Sequence, residues 1–440
     1  CVRICEEVQG AAALGFFRRG FDTQMKPGLD KPLAETTCES CGQCVSTCPT
    51  AALSPVIDLP KPGPWAGRAT RSTCTFCGTG CPVVLHTVGG SLDRVEPVPT
   101  SIDGHSNLCV RGRFGFGVST SDDRIVSPAV RADGEPEETS WERAAEAAAE
   151  GMKAAVEKHG VSGVALLVSP RVTNETALQL LRMGREGLGT SNVGSYGLAP
   201  EAGVFGALER SFGRAASTAS YEDVRTAGAV LLLDSDIAEE QTVLSLSVRK
   251  AVRNGARLVV VSPEETRMTR IADIWIQAGG RELSNVLLAM AGRALDAGAD
   301  PSALPFEVRG LPELRELAES TTVDAAVTGG ALHDAVDALV EADKVVVVAN
   351  ARSFDPLSAG RDATLAVAVA AVTSSAGSVP LVLFARTRAN GQGLSDLGIE
   401  RESARVAKEL AAGAIHAAVI IGEDPVSGAD EPERIREQLS

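Results

Sequence analysis

Cysteine is missing from most of this 440-residue chain, because all 10 cysteines lie within the first 109 residues. An excess of basic residues is missing too. The 42 Lys and Arg against 57 Asp and Glu give a net charge of −15, which argues against a nucleic-acid partner. A long uninterrupted hydrophobic run is also missing. The longest uncharged stretch, 363–385, is broken by Thr, Ser and Gly and by Pro380, so we expect a buried helix followed by a strand, with no direct membrane span.

The remaining composition, 44% hydrophobic and 22% charged, is that of a folded globular protein. The local composition changes along the chain. A cysteine-dense segment at 1–55 is followed by a Pro- and Gly-rich linker at 56–67 and a second cysteine-bearing domain at 68–125. Over 126–440 short apolar runs alternate with helical patterns, which predicts an α/β fold with a parallel sheet covered on both faces. The predicted strands of that region are 164–168, 229–233, 258–261, 345–348, 381–384 and 417–421.

Further helices and strands are predicted from local sequence patterns. Thr139 with Glu142 has the pattern of a capping box, which predicts a helix from there to about His159. A second helix is predicted over 173–187, and short strands over 83–85 and 92–98 in the cysteine-bearing domain.

Cys38, Cys41, Cys44 and Cys48, followed by Pro49, have the spacing C-x2-C-x2-C-x3-C-P of bacterial ferredoxins, in which the fourth cysteine binds the neighbouring [4Fe–4S] cluster. Cys1 and Cys5 repeat the x3 gap of such a run. We therefore expect Cys1 and Cys48 to hold half of one cluster, whose other ligands would precede Cys1. On this interpretation the chain is a piece of a longer protein, cut at both ends. One cluster is then held by Cys5, Cys38, Cys41 and Cys44.

The last group of cysteines has three members close together in the sequence, Cys74, Cys77 and Cys81, and a fourth farther along, Cys109. This arrangement also suits one [4Fe–4S] cluster. A structural zinc site is chemically possible for four thiolates. Disulfides are typical of small secreted scaffolds, whereas this chain has a large α/β part with its own core. The ligands of this cluster would be Cys74, Cys77, Cys81 and Cys109.

These motifs resemble the molybdopterin oxidoreductase superfamily. Within it they are most similar to the catalytic subunit of NAD-linked formate dehydrogenases, and the G subunit of bacterial complex I is related. The resemblance covers nearly the whole chain. It rests on 1–10 (CVRICEEVQG), 20–23 (GFDT), 41–44 (CGQC), 48–50 (CPT), 73–81 (TCTFCGTGC), 109–114 (CVRGRF), 171–175 (RVTNE) and 420–425 (IIGEDP).

The resemblance implies a fold with three parts: a ferredoxin-like module for two [4Fe–4S] clusters, a small [4Fe–4S] domain of the Mo/W bis-molybdopterin guanine dinucleotide (bis-MGD) type, and Rossmann-like parallel α/β domains. It implies electron transfer from cluster to cluster towards flavin- and NAD-binding and iron–sulfur partner subunits. It also implies a location in the cytoplasm, or attachment to the inner face of the membrane through those partners. The family's lysine between cluster and pterin is replaced here by Arg111, which keeps the positive charge.

Three places differ from the family's pterin site. Gly197 stands where the family has its metal-binding Cys or selenocysteine, and glycine offers no soft ligand. Asp234 and Asp236 stand where a pyrophosphate would approach, and Ser262 with Glu264 replaces an Asp-Pro-Arg pattern. The favoured hypothesis is therefore an electron-transfer oxidoreductase subunit with a degenerate pterin site. The alternatives are a working molybdenum or tungsten formate dehydrogenase and a zinc-binding structural protein.

Overall fold

A computed structural model of the protein describes residues 1–56, 67–98, 107–132, 134–305, 309–321, 325–426, 433 and 435–436. Nearly all of the predicted linker at 56–67 lies outside the described residues. The chain forms two compact units. The first unit contains Cys1–Val118 and Ala207–Thr387, and the second contains Ser119–Gly206 and Arg388–Ser440.

The strands are short, as the apolar runs predict. They are β1 (Leu14–Phe17), β2 (Gln24–Pro27), β3 (Gly67–Thr73), β4 (Pro82–Val88), β5 (Ser91–Pro97), β6 (Ala129–Ala132), β7 (Glu135–Glu138), β8 (Val164–Val168), β9 (Val193–Gly194), β10 (Ala229–Leu233), β11 (Arg257–Ser262), β12 (Ile274–Gln277), β13 (Val345–Asn350), β14 (Leu381–Ala385) and β15 (Ala417–Ile421).

The α-helices lie mainly between these strands. They are α1 (Gln43–Ser46), α2 (Val110–Phe114), α3 (Trp141–His159), α4 (Asn174–Arg182), α5 (Ala202–Phe212), α6 (Tyr221–Arg225), α7 (Ile237–Glu240), α8 (Thr242–Arg253), α9 (Arg281–Asp296), α10 (Leu311–Ser320), α11 (Ala325–Val340), α12 (Ala359–Val372), α13 (Gly391–Asp396) and α14 (Ile399–Ala411).

The first unit is built on a five-stranded parallel sheet in the order β12-β11-β10-β13-β14. The chain leaves β10 in one direction for β11 and β12 and then returns to its other side for β13. The strand order therefore reverses between β10 and β13, which is the point where such sheets bind ligands at their carboxyl ends. All five residues of β10 are completely buried because helices cover both faces, as predicted.

Two small antiparallel pieces complete the first unit. β1 and β2 form a hairpin, and β3, β4 and β5 form a three-stranded sheet. The strands predicted at 83–85 and 92–98 correspond to β4 and β5.

The second unit has its own parallel sheet, β15-β8-β9. Leu166 and Val168 of β8 pack into one apolar cluster, and Ala165 and Leu167 pack into another. Since successive side chains of a strand point to opposite faces, both faces of β8 are buried. The local pattern predicted β8 and β15 correctly, but it missed β9 and β12 and did not show that the strands divide between two sheets.

The predicted capping box is placed one residue too early. The residue that caps α3 is Ser140, whose side chain accepts a hydrogen bond from the Arg143 backbone N–H. Thr139 and Ser140 are both good caps, and only the direction in which the chain enters α3 decides between them. The predicted helix at 173–187 does begin after Thr173, as α4 and a following π-helical turn.

The long uncharged stretch forms the helix and strand that were predicted. Its first part lies in α12 and its last part forms β14. Among the described residues, no helix is long and apolar enough to cross a membrane.

Candidate functional site

Four cysteines of the ferredoxin-like segment line one cavity in the first unit. Cys38 and Cys41 lie on a loop before α1, and Cys44 lies within α1. Cys5 lies in a π-helical turn, Ile4–Val8, and completes the set. The loop reaches this shape through left-handed backbone at Ser40 and Gly42. Three closely spaced thiols and one distant thiol thus meet at one place.

Backbone N–H groups and burial shape the chemistry of these thiols. The Ala13 N–H donates to Cys5 Sγ at 3.4 Å, and the Ser40 N–H donates to Cys38 Sγ at 3.4 Å. Burial raises the pKa of Cys41 to about 11 and also raises the pKa of Cys44. A metal that binds these thiols as thiolates must therefore displace their protons.

Cys1 and Cys48 are not among the residues that line this cavity. Cys1 is exposed, and Cys48 is half-buried with its Sγ 3.6 Å from the Thr50 hydroxyl. The backbone N–H of Leu53 and the Thr50 hydroxyl lower the pKa of Cys48 to about 7. These two thiols thus do not line the cavity of the four-cysteine set, and their role as ligands of another cluster stays a prediction.

The last four cysteines line a second cavity of the first unit. Cys74, Cys77 and Cys81 lie on the loop that joins β3 to β4, and Cys109 caps α2. The Cys74 N–H donates to the Cys81 carbonyl at 2.9 Å, which closes the loop. Burial raises the pKa of Cys74 to about 11. Arg111, on the first turn of α2, also lines this cavity.

The same loop is anchored to the five-stranded sheet. The Gly78 N–H donates to the Arg386 carbonyl at 3.1 Å, directly after β14. The Tyr221 hydroxyl donates to the Thr79 hydroxyl at 3.1 Å. The second cysteine cavity therefore lies at the carboxyl end of the sheet, where ligands bind in such folds.

Glu39 lines both cysteine cavities. Its side chain is only 6% exposed and forms ion pairs with Arg249 at 3.2 Å and with Arg267 at 3.0 Å. Arg249 also donates to the Gln9 carbonyl at 2.7 Å. This buried ion network ties the ferredoxin-like segment to α8.

The acids expected at the pterin site lie together at the carboxyl ends of two neighbouring strands. Asp234 and Asp236 follow β10, while Ser262 ends β11 and Glu264 follows it. The Asp234 N–H donates to the Val261 carbonyl at 2.7 Å, and Asp234 has a left-handed backbone with φ +38°. The sequence prediction of an acidic strand end thus describes the observed arrangement.

The electrostatics of this strand end do not suit a pyrophosphate. Burial raises the pKa values of Asp234 and Glu240, because these surroundings disfavour the charged form of a carboxyl group. The Asn350 amide donates to the Glu240 carboxylate, and Arg111 donates to the Glu239 carbonyl at 2.9 Å. Surroundings that disfavour the charge of a carboxylate also solvate phosphate charge poorly, so the residues at this strand end do not fit the pyrophosphate of bis-MGD.

Gly197 lies in the second unit, at the start of a 3-10 turn, Tyr196–Glu201. The Glu423 carboxylate accepts hydrogen bonds from Ser195 Oγ at 2.6 Å, the Tyr196 N–H at 2.9 Å and the Gly197 N–H at 3.0 Å. A Cβ atom added to Gly197 would lie 3.3 Å from Glu423 Oε1. An internal carboxylate thus occupies the space beside Gly197, where the resemblance predicts the family's metal-binding thiolate.

Sequence reasoning assigned no role to Glu39, Arg113 or Glu423. Glu39 adjoins Cys38, and Arg113 follows Arg111 by two positions in the same motif. Glu423 lies inside one of the stretches that carry the resemblance. Nearness to a motif is therefore the only signal in the sequence for these side chains, since their partners are distant along the chain.

The spacing of the thiols matters for the kind of metal. A tetrahedral zinc site with Zn–S distances near 2.3 Å needs sulfurs about 3.8 Å apart. Within the described ranges, no group of three or more His, Cys, Asp or Glu side chains could hold a single metal ion. A [4Fe–4S] cluster binds one thiolate at each iron, so its four thiolates lie farther apart than those around a single zinc ion.

Comparison with known proteins agrees with this geometry. Residues 124–439 match the molybdopterin oxidoreductase family, and residues 68–121 match the molybdopterin oxidoreductase Fe4S4 domain. The chain is 28% identical to the alpha subunit of the NADPH-Fe(3+) oxidoreductase of Geobacter sulfurreducens, over 100% of this chain and 55% of that protein. It is 32% identical to the second G-type chain of the NADH-quinone oxidoreductase of Rhizobium meliloti, over 91% of this chain and 45% of that protein.

The chain thus spans about half the length of these curated relatives. Among solved structures, acetylene hydratase from Pelobacter acetylenicus superposes with a TM-score of 0.53 at 18% identity, over 69% of this chain and 42% of that chain. This likeness concerns the fold alone. With a family match over more than half of its residues, the chain belongs to the molybdopterin oxidoreductase family, and residues 68–121 form that family's Fe4S4 domain.

Proposed function

We propose that this chain is an iron–sulfur electron-transfer subunit of an NAD(P)-linked or quinone-linked oxidoreductase complex. The observation that carries the proposal is the presence of two cavities in one unit, each lined by four cysteines. One cluster is held by Cys5, Cys38, Cys41 and Cys44, and another by Cys74, Cys77, Cys81 and Cys109. Cys1 and Cys48 provide half of the ligands of a third cluster.

When bound, [4Fe–4S] clusters supply one-electron transfer. The protein binds them through thiolates and stabilises those thiolates with N–H groups such as those of Ala13 and Ser40. Burial of Cys41 and Cys74 keeps water away from the sites. The ion network of Glu39 orients the two cavities relative to each other within the first unit.

The pterin site is proposed to be degenerate. Support comes from the acids after β10, the exposed Glu264 after β11 and the Glu423 carboxylate beside Gly197. Gly197 of the second unit supplies no thiolate for molybdenum or tungsten, and the acids after β10 of the first unit oppose a pyrophosphate. The Arg111 guanidinium still lies between the second cysteine set and this strand end, where it donates to the Glu239 carbonyl.

The proposed partners are flavin- and NAD-binding and iron–sulfur subunits of a redox complex in the cytoplasm. The names of the two relatives support this, because each is a subunit of an NADPH- or NADH-linked oxidoreductase. The net charge of −15 suits partners with a basic docking face and not a nucleic acid.

Metal analysis of the full-length protein, purified anaerobically, tests the proposal. We expect iron and acid-labile sulfide without stoichiometric molybdenum, tungsten or pterin, and cluster absorbance that dithionite bleaches. Molybdenum or tungsten at one per chain, with reduction of the clusters by formate, would establish a working formate dehydrogenase instead. Zinc without iron would establish a structural zinc protein.

Two serine variants assign the iron to its ligands. Cys77→Ser and Cys41→Ser should each lose about four iron atoms per chain, because a cubane binds through four thiolates. Each variant should lose a different EPR signal of the reduced protein. Gly117→Ser, which adds a side chain where no other atom lies within 4 Å, is the matched control and should keep the wild-type iron content.

A further inference from the structure

Helix α2 links the two cysteine cavities directly. Cys109 of the second set caps this helix, and the Arg113 N–H donates back to the Cys109 carbonyl at 3.0 Å. The side chain of Arg113 extends the other way, towards the first set. Its Nε donates to the Cys41 carbonyl at 2.8 Å, and its Nη2 donates to the Gln43 amide oxygen at 2.9 Å. One residue therefore contacts ligands of both sets, the second through its backbone and the first through its side chain.

The contact is also tight. A Cβ atom added to Gly42 would lie 2.5 Å from Arg113 Cδ and 2.6 Å from Phe114 Cζ. The side chains of α2 thus rest on the backbone between Cys41 and Cys44, where only glycine leaves room. This packing fixes the loop of the first set against the helix that begins at the second set.

Arg113 is a buried cation with neutral hydrogen-bond partners. It is 5% exposed, and among the described residues no carboxylate lies within ion-pair distance of it. The thiolate forms of Cys41, Cys44 and Cys109 attract it, as does Glu96 from farther away. Burial lowers the pKa of Arg113, but a guanidinium remains protonated in proteins. An uncompensated buried cation costs several kcal/mol, so this site calls for a nearby anion.

We propose that Arg113 is a positioning residue that joins the two cluster sites and places a fixed positive charge between them. The inference rests on the proposed function, because the compensating anions are the clusters. A [4Fe–4S] cluster with four thiolates carries a charge of about −2 when oxidised, and one unit more when reduced. Two such anions on either side of Arg113 supply the compensation that its hydrogen-bond partners do not.

The charge of Arg113 has a consequence for electron transfer. One electron passes between the two sites with no bond formed or broken and no proton moved, so one site gains the negative charge that the other loses. A cation between the sites attracts the electron at either position and raises both reduction potentials.

Redox titration of the full-length, cluster-loaded protein, followed by EPR, tests this role. The variants are R113Q, which removes the charge, and R113K, which keeps it. R257Q is the matched control, since Arg257 is half-exposed on β11 and pairs with Asp273 at 3.2 Å. We expect both midpoint potentials to move to more negative values in R113Q and to stay at wild-type values in R113K and R257Q.

Wild-type potentials in an R113Q protein with full iron content would overturn the inference, as would equal shifts in R113Q and R113K. If R113Q fails to retain iron, R113K decides the matter. Full iron content and wild-type potentials in R113K support a role for the positive charge. Iron loss in R113K assigns Arg113 to hydrogen bonding alone and overturns the inference. Wild-type protein without iron would instead refute the proposed function, so the two failures are distinguishable.

Discussion

Gly78 offers the sharpest test of how the second cysteine set is held. It lies between Cys77 and Thr79 on the loop that is anchored to the carboxyl end of the sheet. A Cβ atom added to it would lie 2.1 Å from the Arg386 carbonyl oxygen and 2.7 Å from the carbonyl carbon. Both are backbone atoms at the end of β14, so no side chain can rotate away to make room.

The magnitude of the effect follows from this overlap. Ordinary contact begins at 3.4 Å, so Gly78→Ala must move the loop by more than 1 Å. That displacement also breaks the hydrogen bond from the Gly78 N–H to the Arg386 carbonyl, which is 3.1 Å long. Overpacking costs about 1–3 kcal/mol and the hydrogen bond about 1 kcal/mol. We therefore expect the free energy of unfolding of the variant to fall by about 2–4 kcal/mol and Cys77 to be displaced.

The assay is iron per chain together with the EPR spectrum of the reduced, full-length protein. Gly78→Ala should lose the signal of the second cluster and about four iron atoms, while the first cluster persists. Gly117→Ala is the control, because a Cβ atom there meets nothing within 4 Å. A Gly78→Ala protein with wild-type iron content and an unchanged unfolding midpoint would refute the reasoning.

Three further predictions concern the first unit. Gly42→Ala should reduce the iron of the first set, measured as iron per chain, because its left-handed backbone alone costs about 1–2 kcal/mol before the clash with α2. Glu39→Gln should lower the free energy of unfolding of the cluster-loaded chain by about 3–5 kcal/mol, since it leaves Arg249 buried without its ion pair; a loss below 1 kcal/mol contradicts this. Burial raises the pKa of Asp223, but hydrogen bonds from Lys344 and Ser220 outweigh it and lower the pKa to about 2. The ionised Asp223 therefore stabilises the fold above pH 4, and this stabilisation is lost as the pH falls through 2. Chemical denaturation should show a free energy of unfolding for Asp223→Asn that is about 1–2 kcal/mol below wild type at pH 6. The two values should converge near pH 2.

The strands were the most predictable part of the fold. The observed bounds of β8, β10 and β15 coincide with the predicted runs at 164–168, 229–233 and 417–421. Strands buried on both faces are continuously apolar, so their ends are marked by the first polar or glycine residue. The pairing of β8 with β15 was not predictable in this way. Their apolar runs contain no pattern that specifies a partner strand, and more than 240 residues separate the two strands.

The cysteine spacing by itself determined which thiols group together, because a cubane needs closely spaced thiolates on one loop and a fourth from elsewhere. The sequence also determined the acidic end of β10 and the missing thiolate at Gly197. Only the tertiary structure decided which side chains surround these groups. Arg113 meets Cys41 across 72 positions, Arg249 meets Glu39 across 210 and Gly197 meets Glu423 across 226. Such contacts depend on how whole elements pack, which no local pattern of residues encodes.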